Sequence, residues 1–158
     1  MTTGRCLLAT VWLLAAMAGC APLESTFAVD PYLKKEITGD TFGACAARAY
    51  RARAAIEARR DVNYITAARF VEKAKAAQRN EHLAPWGDEP WLPAPAAGAQ
   101  EKRDRLFAAF SLPARDECAC GTALARYDGW LADAHDASVA GPALEGFEQA
   151  LKACGKSA

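Results

Sequence analysis

The chain has 158 residues, enough for one domain, and its 19 basic and 19 acidic side chains cancel, so the charge surplus typical of a nucleic-acid binder is absent. Apolar residues make up 52%, but 38 positions are alanine, the strongest helix former and a poor source of buried area. Past residue 19 only seven residues are Val or Ile, which excludes an all-β fold and a typical sheet-centred α/β enzyme.

The N-terminus reads as an address. Met1–Arg5 carries one positive side chain, Cys6–Met17 is an apolar run, and Ala18-Gly19 precede Cys20. A charged start, a short apolar middle and a small-residue cleavage zone describe a secretory signal over residues 1–19. As a helix the run spans ~18 Å, short of a ~30 Å hydrocarbon core, so it makes a poor permanent membrane span. Met17-Ala18-Gly19-Cys20 resembles the bacterial lipobox, with Met17 where leucine is usual. The resemblance implies a diacylglyceryl group and an amide-linked acyl chain on Cys20, and two or more chains anchor a protein stably. Ala16-Met17-Ala18 also fits an ordinary signal-peptidase site, which leaves a soluble secreted protein. The lipoprotein reading is preferred, because a cysteine at this place is otherwise a coincidence. The absence of aspartate after Cys20, where Ala21 stands, implies outer-membrane sorting.

Residues 20–40 lack periodicity and read as the lipidated N-terminus and a flexible tether, with a short turn at Tyr32–Ile37. Residues 41–158 read as an alanine-rich helical domain. Asp40 or Thr41 caps a first helix running to about Arg60, with Phe42, Cys45, Ala49, Ala52 and Ile56 sharing one face. Asn63 caps a second, about Tyr64–Arg79, whose stripe is Ala67, Phe70, Val71, Ala74 and Ala77. A proline-rich connector over 81–98 carries Trp86 and Trp91, which cover the hairpin ends or, alternatively, offer an exposed platform. A third helix spans about Ala99–Phe110 and presents Arg103, Leu106, Phe107 and Phe110. Pro113 suits the first turn of a fourth, with Cys120, Ala123, Leu124, Tyr127, Trp130, Leu131 and Ala134 on one side as far as about Asp136. Gly141-Pro142 breaks the chain and restarts it as a fifth helix, with Leu144, Phe147, Leu151 and Cys154 in its stripe. The fold class is all-α: about five short helices in antiparallel hairpins, a small bundle or TPR-like array.

Four cysteines, Cys45, Cys118, Cys120 and Cys154, lie in this domain, and export makes them disulfide candidates with three possible pairings. Cys118 and Cys120 sit two apart on one helix and point nearly opposite ways, so they do not join each other. A hairpin centred near residue 139 sets Cys120 one turn from the position opposite Cys154. This favours Cys120–Cys154 with Cys45–Cys118 and leaves the swapped arrangement open. Cys118-Ala-Cys120 lacks the Cys-x-x-Cys spacing and a histidine set, so no metal site and no cofactor are expected.

Catalytic constellations are weak. His82 lies in the connector. Asp133, His135 and Asp136 form a D-x-H-D cluster, but neighbours one and two apart on a helix do not converge, and a solvated helix end is the preferred reading. Arg48, Arg51, Arg53, Arg59 and Arg60 are offset locally only by Glu57. They form a possible anion-binding face for lipid head groups or cell-wall carboxylates, or else a solvated helix face.

Tyr50-Arg-Ala-Arg-Ala54-Ala-Ile56-Glu57-Ala58, then Asn63-Tyr64, Ala67, Phe70 and Lys73-Ala74 through Ala77, followed by Trp91-Leu92-Pro93, Leu106 and Tyr127-Asp128-Gly129-Trp130, resemble the helical N-terminal region of outer-membrane protein A (OmpA) family lipoproteins of proteobacteria. Asn63 stands where aspartate is expected, and Gly129 where relatives often carry cysteine, so their disulfide pattern does not transfer. Family members usually continue into an α/β peptidoglycan-binding domain; residues 1–158 contain no such segment, so direct wall anchoring is not among the expectations. The resemblance implies an envelope lipoprotein with a helical body and no enzyme activity. The expected function is therefore a non-catalytic, lipid-anchored scaffold or protein-interaction domain on the periplasmic side of the outer membrane. Its expected partners are the membrane, through acyl chains on Cys20, and another envelope protein, with no nucleic acid. The alternative is a soluble periplasmic carrier that holds a small or lipidic ligand in a groove between hairpins.

Overall fold

The computed structural model describes residues 27–92 and 96–155; the expected signal segment, Cys20 and residues 21–26 of the expected tether lie outside them. The described residues form six helices and no strand. They are α1 (Val29–Leu33), α2 (Phe42–Arg59), α3 (Tyr64–Gln78), α4 (Ala99–Phe110), α5 (Glu117–Asp133) and α6 (Ala137–Cys154). The fold is all-α, as the composition requires.

Four caps set the helix starts. Side chains of Thr41, Asn63, Asp116 and Asp136 accept the backbone N–H of Ala44, Thr66, Ala119 and Ser138, filling donors that a first turn leaves open. Two of these correct the sequence reading. Asp116, rather than the neighbourhood of Pro113, begins α5. Asp136 begins α6 upstream of Gly141-Pro142, and the helix runs through both. Pro142 withholds only the single N–H that would meet the Ser138 carbonyl, close to the helix start where the loss disturbs least.

Residues 29–40 are not a slack tether. The three-residue spacing of Val29 and Tyr32 puts both on one face of α1, where they are buried together with Ile37. The Tyr32 hydroxyl donates to Gln78 Oε1 on α3 at 2.9 Å. Arg51 donates to the Lys35 carbonyl, and Arg48 to the carbonyls of Ile37 and Gly39. This strap is fastened by α2 and α3.

Contacts between α2 and α3 and between α5 and α6 make two antiparallel hairpins, which stack through α2 and α5. Cys45 is bonded to Cys118, Tyr50 meets Asp128, and Arg53 meets Asp133. Residue numbers rise together along these pairs, so α2 and α5 run parallel. Both contacts of α2 are close. A Cβ on Gly43 would stand 2.5 Å from the Ala77 carbonyl oxygen of α3, and one on Gly121 would stand 2.9 Å from the Ala46 nitrogen of α2. Glycine at these two positions sets the helix spacing. α4 closes the far side, burying Leu106 and receiving the Tyr127 hydroxyl on the Ala99 carbonyl at 3.2 Å.

The buried face of α2 is Gly43, Ala46, Ala47, Tyr50, Ala54 and Ala58, not the expected stripe of Phe42, Cys45, Ala49, Ala52 and Ile56. Of those five only Cys45 is buried, and Ile56 is 38% exposed. With neighbours on two sides, the small positions take the closest approach. The stripe expected for α3 is buried as read, and of the stripe expected for the last helix Phe147, Leu151 and Cys154 are buried while Leu144 is half-buried. Trp86 is buried between Phe70 and Trp91, at 4.7 and 4.6 Å between ring centres, so it covers a hairpin end and is no exposed platform.

The disulfides are Cys45–Cys118 and Cys120–Cys154. The turn of the second hairpin falls at 134–136, earlier than residue 139. That moves the register by about a turn and sets Cys154 directly against Cys120, with Cα atoms 4.5 Å apart. One bond therefore closes a hairpin and the other fastens the two hairpins together.

Candidate functional site

Three arrangements carry charge inside the fold. In the first, Asp128 of α5 is completely buried. Its carboxylate accepts the Tyr50 hydroxyl at 2.6 Å and the Trp86 backbone N–H at 2.8 Å, and it pairs with the Lys73 ammonium at 3.0 Å. Lys73 also donates to the Ala84 carbonyl and lies 5.3 Å from the Trp86 ring centre. Burial pushes the Asp128 carboxyl above the usual carboxylate range, against the pull of Lys73, Tyr50 and Trp86. The Tyr50 hydroxyl is raised well above its ordinary value by burial and then by the adjacent carboxylate. Every strong group here has a protein partner, and the cluster joins α2, α3, α5 and the connector in one knot.

In the second, Arg53 of α2 donates to Glu57 one turn along and bidentately to Asp133 at the end of α5. Glu57 and Asp133 are both buried. Desolvation is the largest influence on Glu57 and raises its carboxyl despite Arg53. Gly129 admits the arginine: a Cβ there would lie 3.3 Å from Arg53 Cδ.

The third is a groove of about 510 Å³ with α2 as one wall, α5 as floor and the first half of α6 as the other wall. The Cys45–Cys118 bond and Arg48 stand at one end, Ile56 and Trp130 at the other, and Arg126 lies along the floor beside Gly146. The Arg48 guanidinium is 2.9 Å from Cys45 Sγ and 3.9 Å from Cys118 Sγ.

The arginine series does not form one face. Arg48 and Arg51 hold the strap, Arg53 is engaged inside, and Arg60 pairs with Asp61 at 2.7 Å at the exposed end of α2, beside the exposed Arg59. Only Arg48 and Arg53 of the five reach the groove. The D-x-H-D cluster is likewise dispersed: Asp133 turns inward to Arg53, Asp136 caps α6, and the exposed His135 contacts the Ala132 carbonyl. Asp40, Cys45 and Cys118 bring an oxygen and two sulfurs within 4.8 Å of one another, but the sulfurs are bonded to each other and offer no thiolate.

Sequence reasoning assigned no role to Asp128, Lys73 or Arg126. Tyr50, Lys73 and Asp128 stood among the resemblance-bearing positions, and a charged residue beside Tyr127 and Trp130 on a core stripe was the available signal. No family model, curated protein or solved structure was found to match this chain.

Proposed function

We propose that the chain is an exported, lipid-anchored helical domain of the cell envelope, with a scaffold or protein-interaction role and no catalytic chemistry of its own. The observation that carries this reading is the pair of disulfides binding α2, α5 and α6 together. Such bonds form and persist in oxidising compartments, in keeping with a secretory signal ahead of Cys20. The non-catalytic part rests on the charge clusters. Asp128 pairs with Lys73, and Glu57 and Asp133 share Arg53, an arrangement that engages these buried carboxylates in joining helices.

Metabolic labelling with radioactive palmitate, followed by membrane fractionation, tests the proposal. Label should enter the wild-type protein, and Cys20→Ala should abolish labelling and release the protein to the soluble periplasmic fraction. An unlabelled wild type, or a Cys20→Ala protein that fractionates unchanged, refutes the anchor.

A further inference from the structure

Arg69 of α3 and Arg103 of α4 line one cavity of about 790 Å³ between α3 and the connector, a volume within the range of small-molecule sites. Both side chains are half-buried. Among the described residues neither makes an ion pair or a hydrogen bond, and Arg103 Nε is buried without a partner. The other charged groups of the cavity are engaged elsewhere. Lys73 is matched by Asp128, Glu72 pairs with Lys75 at 2.8 Å, and Glu89 accepts the Gly87 N–H at 2.6 Å. A guanidinium that has given up hydration without gaining an acceptor is a group left short of a partner.

Local structure brings these two cations to one spot. Gly87 lets Arg103 pass beneath the connector: a Cβ there would stand 2.7 Å from Nη1. Phe107, one turn further along α4, supports the guanidinium at 5.7 Å. Arg69 lies over the Trp91 ring at 4.3 Å. Stacking of this kind engages the face of a guanidinium and leaves the N–H groups of its edge free. Trp91 stands 4.6 Å from Trp86, and Gly87 follows Trp86 in the chain, so the two arginines flank a single pair of tryptophans. The wall beside them is apolar, with Ala68, Leu83, Pro85 and the 65% exposed Ile65. Two forked donors meeting at one point suit one oxyanion, because the planar fork fits carboxylate and phosphate bidentately. The apolar wall suits the body that carries it.

We propose that this cavity binds a small organic oxyanion, a carboxylate or a phosphate ester on an apolar body. Arg103 and Arg69 hold the charged group, and Trp91 and Ile65 cover the body. The site adds ligand binding to the scaffold role proposed above, and it does not depend on acylation of Cys20.

Isothermal titration calorimetry on the purified mature protein, its disulfides intact, tests the assignment with four probes: 1-naphthoate, phenyl phosphate, 1-naphthalenemethanol and inorganic phosphate. One or both organic anions should bind with one site per chain, and the tighter of the two identifies the charged group as carboxylate or phosphate. The neutral alcohol and inorganic phosphate should each bind about tenfold more weakly or not at all. Arg103→Gln and Arg69→Gln should each weaken the organic anion about tenfold, whereas Arg126→Gln, on the far side of α5, should leave it unchanged. Circular dichroism of the variants should match wild type. If Arg103→Gln misfolds, Arg69→Gln and Trp91→Leu, both at half-buried side chains, are read instead. Absence of binding by both organic anions at millimolar concentration overturns the proposal. So does equal affinity for the neutral alcohol, equal affinity for inorganic phosphate, or a loss in Arg126→Gln as large as that in Arg69→Gln.

Discussion

Graded reduction of the folded protein should open Cys45–Cys118 before Cys120–Cys154, although the first bond contributes more to stability. The bonds close segments with sequence separations of 73 and 34 residues. In the chain-entropy relation these correspond to about 4.4 and about 3.8 kcal/mol at 25 °C. The order of attack is set by access and by the leaving group. Cys120 and Cys154 are fully buried between α5 and α6, so a reductant reaches them only after that hairpin opens. Cys118 is partly exposed on the groove. An external thiolate can attack its sulfur and expel Cys45 as a thiolate beside the Arg48 guanidinium, which favours the charged form and speeds departure. The assay is a dithiothreitol series on the native protein, with one alkylating tag before denaturation, a second after it, and peptide mass mapping. Arg48→Met should slow the first opening. Loss of Cys120–Cys154 first, or loss of both bonds with one rate constant, would refute the reasoning.

Three further outcomes follow from the buried charges and the close helix contacts. Asp128→Ala should cost about 3 kcal/mol by urea denaturation, since it strands Lys73, the Tyr50 hydroxyl and the Trp86 N–H in the interior; an unchanged midpoint would contradict the described knot. Burial raises the Asp128 and Glu57 carboxyls, so the stabilisation linked to their protonation is complete below the ordinary carboxylate range near pH ~4 and is lost as pH rises through the folded values. Asp128→Asn should flatten that decline in urea midpoints measured from acid to neutral pH. Asp61 is lowered by Arg60 and acts with the opposite sign, its contribution lost on acidification. Gly121→Val should destabilise by more than ~2 kcal/mol by forcing α5 off α2, whereas Gly141→Ala, with open space around it, should stabilise slightly through helix propensity; comparable thermal midpoints for the two would overturn the assigned helix contact.

What could be read from the residues was local. Asp40-Thr41 and Asn63 announce their helices because capping is a property of three or four consecutive positions, and α4 was legible to its ends. The face of α2 was not, since alanine gives little hydropathy contrast and periodicity then follows Phe42 and Ile56. The close approaches at Gly43 and Gly121 belong to the packed helices and have no sequence period. The strap was missed because Val29 and Tyr32 make a single helical repeat, too short to register against Pro31. Pro142 was weighted as a breaker when the nearby Asp136 cap decides the helix start. Asp128, Lys73 and Tyr50 are separated by tens of residues, so their convergence depends on the parallel pairing of α2 with α5, which no local spacing reports. The cysteines did better because geometric elimination removed one pairing outright.

The covalent link from α2 to α5 bypasses the whole connector. A protease cutting at the exposed Asp88 severs the polypeptide yet leaves two fragments tied through Cys45 and Cys118. Nor can either fragment stand as an independent unit, because Tyr50 and Asp128, one from each, complete a shared interior. Nicked protein should therefore migrate as one species until a reductant is added, and only then come apart.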